Sequence, residues 1–211
     1  MLLLVLVDLI TGLERPEFFF ANPRYWIFPL QTVVCGALVI FYWRQYALEA
    51  PRKVAFTIAT ALLVLAIWIS PQELFGFLPR SGDEKSFNPT IFPPDSLLYW
   101  GSLGFRFLRL AVVVPFVEEI FWRGFLLRYL VKEDFQSLPM GSFSWKSFGI
   151  VTLLFGLAHW GPDFIPALIT GMLYNAVAIH TRSLSACILA HSVTNLLLGF
   201  YIMATRQWGF W

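Results

Sequence analysis

VVVPFVEEIFWRGF, residues 112–125, sets Glu118, Glu119 and Arg123 into one of the most apolar stretches of the chain. A helix this apolar belongs either in a core or in a bilayer. The 211 residues are 58% hydrophobic and 13% charged, against about 45–50% and about 25% in soluble domains. The composition predicts an all-α, polytopic membrane helical bundle. A net charge of +2, with no basic cluster, excludes a nucleic-acid partner. Cys35 and Cys187 lie in apolar runs without CxxC spacing and read as small buried hydrophobes.

Working outward from residues 112–125, apolar runs long enough to span fall at 26–43, 54–70, about 98–130, 147–160, 163–180 and 184–204. Residues 2–13 lack the basic region and cleavage site of a secretory signal and read as a short further span. The expected total is therefore six to seven or eight helices, one of them broken. Residues 1–97 form the N-terminal helices with a Pro-rich loop, 98–205 a catalytic core, and 206–211 an aromatic tail. Arg44, Arg52 and Lys53 share one loop, Arg123, Arg128, Lys132 and Lys146 lie at the next on the same face, and Arg182 at the third. The positive-inside rule makes those loops cytoplasmic, in the inner membrane if the source is bacterial.

Arg109 and Arg128 are expected to snorkel to the two interfaces, and at about 1.5 Å of rise per residue Glu118 lies about 15 Å from the cytoplasmic edge, His191 about 14 Å and His159 about 20 Å. Ionisable groups at that depth are costly unless they meet each other or water, so the three helices are expected to line one polar cavity. Glu119 and Arg123 are an i, i+4 pair that can neutralise itself, whereas Glu118 is turned by about 100° and remains spare. His191 and Asn195, again i, i+4, project two donors toward one point, which suits an oxyanion. His159 ends a span that Gly161 and Pro162 cut short, and broken backbone at membrane depth needs protein or water beside it. A carboxylate, an imidazole and a two-donor pocket point to hydrolysis by activated water. Glu118 takes the proton, His159 polarises the water, and His191 with Asn195 receives the oxyanion.

EEIFWR (118–123), FGLAH (155–159) and HSVTN (191–195) resemble, in order, the EExxxR, FxxxH and HxxxN signatures of the CPBP family. These are intramembrane glutamic endopeptidases that include the CAAX prenyl proteases and bacteriocin-processing enzymes. The surrounding FWRGFLLRYL, TRSLSACILAHSVTNLLLG and QWGFW are similar to the branch that accompanies exosortase sorting systems. The resemblance covers about residues 98–205. It implies that Glu118 and His159 activate water, that His191 and Asn195 form the oxyanion hole, and that Glu119 and Arg123 support the site.

The expected partners are a membrane-anchored protein or peptide substrate and the lipid bilayer, with no cofactor and no metal. A zinc-dependent membrane protease is the alternative within hydrolysis, although HExxH is missing and Asn195 is a poor zinc ligand. A proton-coupled transporter or a non-enzymatic scaffold is the alternative outside it. The sequence further predicts a cytoplasmic mouth lined by Arg123 and Arg128, to which a substrate carboxylate would be drawn. Asn175 is expected to bond between helices, and His180 to sit at a solvated helix end.

Overall fold

The computed structural model describes residues 22–46, 48–77, 80 and 86–211; the expected span at 2–13 and the charged patch at 81–85 lie outside them. Six helical passes cross the described part: α1 (Arg24–Phe41), α2 (Val54–Glu73), α3 (97–129), α4 (Trp145–Leu157), α5 (Phe164–Thr181) and α6 (Leu184–Thr205). Four of them, α1, α2, α5 and α6, are long and apolar enough to cross a membrane. No strand occurs among the described residues. Starts are written in serines: Ser96, Ser144 and Ser183 each accept a hydrogen bond from an otherwise unpaired N–H of the helix that follows. Ser144 and Ser147 bond reciprocally as a capping box.

The passes alternate in direction, so one end of the bundle collects three loops and the other two loops with the C-terminal tail. At one end the Lys53 ammonium donates to the His180 carbonyl (2.9 Å), and Gly141 lies against Ala178. A Cβ on Gly141 would sit 2.5 Å from the Ala178 oxygen at a φ of +81°, which is why that turn holds a glycine. At the other end Arg80 pairs with Asp163, and the Gly209 N–H donates to the Arg80 carbonyl (3.0 Å). The basic loops all belong to the first end.

Packing concentrates on α4 against α5 and on α6 against α2. Gly171 makes the first approach close: a Cβ there would meet the Thr152 carbonyl at 3.3 Å. Leu127, Val151, Val177, Ala178, Ala186 and Cys187 form the core beneath. Leu30, Val33 and Ile40 of α1, and Leu62 and Leu63 of α2, face outward. Apolar surface of that extent on consecutive helices is what lipid covers.

α3 is where the backbone departs from regular helix. Arg109–Val113 and Ile120–Leu126 are π-helical, separated by the α-helical turn Val114–Glu119. In the first π segment the Val114 N–H is taken by the Arg109 carbonyl. The next bond in that register would need an N–H at position 115, and Pro115 has none. The Leu110 carbonyl is left open inside the bundle.

Candidate active site

The Asn195 amide fills that opening: its Nδ2 donates to the Leu110 carbonyl at 2.9 Å, fixing α6 to α3 just above the carboxylates. One amide proton is committed there, and the second remains for the cavity. π-Helical bulges recur at functional sites, and here the bulge with its proline creates the acceptor that orients Asn195.

Glu119 points into the protein and is fully buried. Its Oε1 accepts from Arg123 Nη1 (2.9 Å) and from His191 Nδ1 (2.8 Å). Arg123, also fully buried, donates through Nε to Asn175 Oδ1 (3.2 Å) and through Nη2 to the Gly171 carbonyl (3.4 Å). Its guanidinium is sandwiched between the Phe155 and Tyr174 rings, 4.8 and 5.4 Å from their centroids. Asn175 continues to Thr152 Oγ1 (3.2 Å), so it bonds between helices as expected. This network ties α3, α4, α5 and α6 together around one ion pair.

Glu118 faces the other way. A polar cavity of about 490 Å³ is lined by Glu118, His159, His191 and Asn195, together with Tyr174 and Thr194. A second, largely apolar cavity of about 690 Å³ runs past Cys35, Val117, Phe121 and Leu157. Arg109, Val114, Glu118 and His159 line both, so the two chambers meet at the carboxylate. Glu118 Oε2 is buried and has no hydrogen-bond partner. His159 Nδ1 lies 2.9 Å from the Phe155 carbonyl. A carbonyl only accepts, so Nδ1 carries the proton and Nε2 keeps its lone pair for the cavity. Glu119 holds the His191 ring through Nδ1, which turns Nε2 toward the cavity.

Two expectations need correction. Arg123 and Arg128 line neither cavity: Arg123 is consumed by the buried network, and Arg128 donates to the Gly124 and Leu138 carbonyls (2.9 Å to the latter). Nor does Arg109 reach out to a lipid interface, since it donates to Gln31 Oε1 (3.2 Å) and stacks over Phe28. Beyond Glu118, His159, His191 and Asn195, the polar cavity is lined by Arg24 and Phe28 of α1, by Arg106 of α3, by Asp163 and by Phe210 and Trp211. It therefore opens at the Arg80 and Asp163 end of the bundle, opposite the basic loops. His180 lies at the basic end, exposed, with Lys53 beside its Nε2 at 3.1 Å.

The sequence reading passed over Arg106, Tyr174 and Thr194. Arg106 was legible as an arginine within an apolar helix. Tyr174 and Thr194, bonded to each other at 2.8 Å, carried no local signal. Among the described residues no three His, Cys, Asp or Glu side chains gather as a metal-ligand set.

The fold and this chamber define a class: a helical membrane bundle that brings carboxylate and imidazole groups from separate helices to one buried cavity. Residues 100–197 match the family model described as Rce1-like, type II CAAX prenyl endopeptidase, and this match supports the CPBP/CAAX protease resemblance over that stretch. The matched stretch contains Glu118, Glu119, Arg123, His159, His191 and Asn195, and the protein is an integral membrane protein. Neither the curated proteins nor the solved structures compared with the chain contain a match.

Proposed function

We propose that the protein is a glutamic endopeptidase that hydrolyses a peptide bond of a membrane-anchored protein or peptide with a water held between Glu118 and His159. The observation that carries this reading is the buried, unpartnered Oε2 of Glu118 facing a cavity that it shares with the Nε2 side of His159. Glu118 takes the proton as the water oxygen attacks the carbonyl carbon, and returns it to the departing amine. The oxyanion is received by the second Nδ2 proton of Asn195 and by His191 Nε2–H. That role requires protons on both ring nitrogens of His191, Nδ1–H toward Glu119 and Nε2–H toward the oxyanion. The apolar chamber beside Glu118 suits the lipid-like or apolar part of the substrate, whether in CAAX-type C-terminal processing or within a protein-sorting system.

Because it needs no metal, hydrolysis of a membrane-anchored reporter by the purified protein should persist in excess chelator and should not rise when zinc is added. Loss with chelator and recovery with zinc would establish the metalloprotease reading instead. A protein that yields no cleavage product, yet acidifies the lumen of proteoliposomes, would be a transporter.

The cavity faces away from the basic loops, so the positive-inside rule directs it to the non-cytoplasmic side. In a protein with Cys35 and Cys187 replaced by serine, a cysteine at Val114 should react with a membrane-impermeant thiol reagent added outside right-side-out vesicles. A cysteine at the exposed Lys132 should react only in inverted ones. The reverse pattern would overturn this orientation.

A further inference from the structure

Arg106 sits on α3 three turns before Glu118, with about 5% of its surface exposed. Its Nε and Nη1 are buried and have no hydrogen-bond partner, although the side chain lines the polar cavity. Around it stand three rings from distant parts of the chain: Phe28, Phe87 and Trp211, with centroids 5.3, 5.5 and 5.5 Å from the guanidinium carbon. Arg24 and Arg109 line the same cavity. Arg80, at the same end, is already satisfied by Asp163. Arg106 is thus a planar cation, buried except where it lines the cavity, surrounded by aromatic rings and left with two buried donors, Nε and Nη1, that no group in the described protein accepts. A buried guanidinium in that condition is strongly unfavourable until an anion reaches it.

We infer that Arg106, with Arg24 and Arg109 beside it, forms an anion subsite for a carboxylate carried by the peptide substrate, at a fixed distance from the bond that is cut. The inference rests on the proposed hydrolysis at Glu118. Twelve residues of helix separate Arg106 from Glu118, about 18 Å along the axis, which an extended peptide covers in roughly five to six residues. The carboxylate, as an acidic side chain or as the chain terminus, therefore lies about that many residues from the scissile bond. The chamber joining the two positions is the polar one, and the apolar space for a lipid tail branches off at Glu118 itself. That division favours a peptide carboxylate at Arg106 over a lipid phosphate.

The test uses the full chain in detergent and matched pairs of fluorescent apolar decapeptides, identical except for a free or an amidated C-terminus. Binding is read by anisotropy on the Glu118→Gln protein, so that no turnover intervenes. The acid form should bind about tenfold or more tightly than the amide, the worth of a charge-assisted bidentate contact. Adding Arg106→Gln should bring the ratio close to one, and Arg106→Lys should retain part of it. Equal binding of acid and amide, absence of binding by either, or a ratio that survives Arg106→Gln overturns the subsite. So does displacement of both peptides alike by phosphatidylglycerol micelles in an Arg106-dependent manner, which would assign the arginine to a lipid headgroup. Cleavage of the same pairs by the wild-type protein separates the two proposals. Arg106-dependent acid binding without any hydrolysis rejects the reaction and leaves the subsite, whereas hydrolysis without acid preference rejects the subsite and leaves the reaction.

Discussion

Glu118→Gln should lower kcat by at least about 10²- to 10⁴-fold, the contribution of a positioned general base, while the protein remains inserted and folded. The substitution preserves volume and removes only the charge. No hydrogen-bonded partner of Oε2 is stranded by that loss, Arg123 is held by Glu119, and Arg109, the cation that shares the cavity with Glu118, keeps its bond to Gln31. An unpaired carboxylate in a buried chamber is itself unfavourable, so the variant's thermal midpoint should equal or exceed that of the wild type. Activity and stability thus move in opposite directions, a signature that a merely structural carboxylate cannot produce. The measurements are turnover of a membrane-anchored reporter and a thermal melt in the same detergent. Wild-type turnover would remove Glu118 from the chemistry, and a lowered midpoint would show that the carboxylate holds the fold together.

Why so much of this chamber was legible follows from the constancy of helical rise. Counting from the basic loops fixes depth, and depth alone brings Glu118, His159 and His191 to one level, where the structure joins them around a single cavity. The i, i+4 rule likewise set Glu119 against Arg123, and they meet at 2.9 Å. Azimuth was less legible, since a 3.6-residue period was assumed through Ile120–Leu126, where the backbone is π-helical and residues turn less per step. Arg123 thereby seemed able both to pair with Glu119 and to line a mouth, whereas its guanidinium is wholly inside. Arg109 read as an interfacial anchor because nothing near it in sequence announces Gln31 on another helix. The cage around Arg106 draws Phe28, Phe87 and Trp211 from three separate segments, and only the folded chain assembles it.

Glu119→Gln should do the opposite of Glu118→Gln and damage stability first. Glu119 Oε1 is the shared acceptor of Arg123 and His191, both buried with it, and the glutamine offers Arg123 no charge. Breaking a buried pair from one side typically costs about 3–5 kcal/mol, which for a chain of this size lowers the thermal midpoint by roughly 6–20 °C. If the stranded guanidinium is the cause, adding Arg123→Met should recover part of that loss. The recovery is incomplete, because Asn175 Oδ1 then loses its donor at a cost of about 1–3 kcal/mol. The pair is close enough that the two substitutions must not add, and the cycle measures their coupling directly. A double variant less stable than Glu119→Gln by the full cost of Arg123→Met alone would show that charge stranding is not what destabilises the single variant. Activity separates Glu119's two duties. Arg123→Met relieves the stranded charge but cannot restore the carboxylate that fixes His191 Nδ1, so the double variant should regain stability and stay inactive. If turnover returned with the melting temperature, orientation of His191 by Glu119 would play no part in the reaction, and the ion pair would be structural alone.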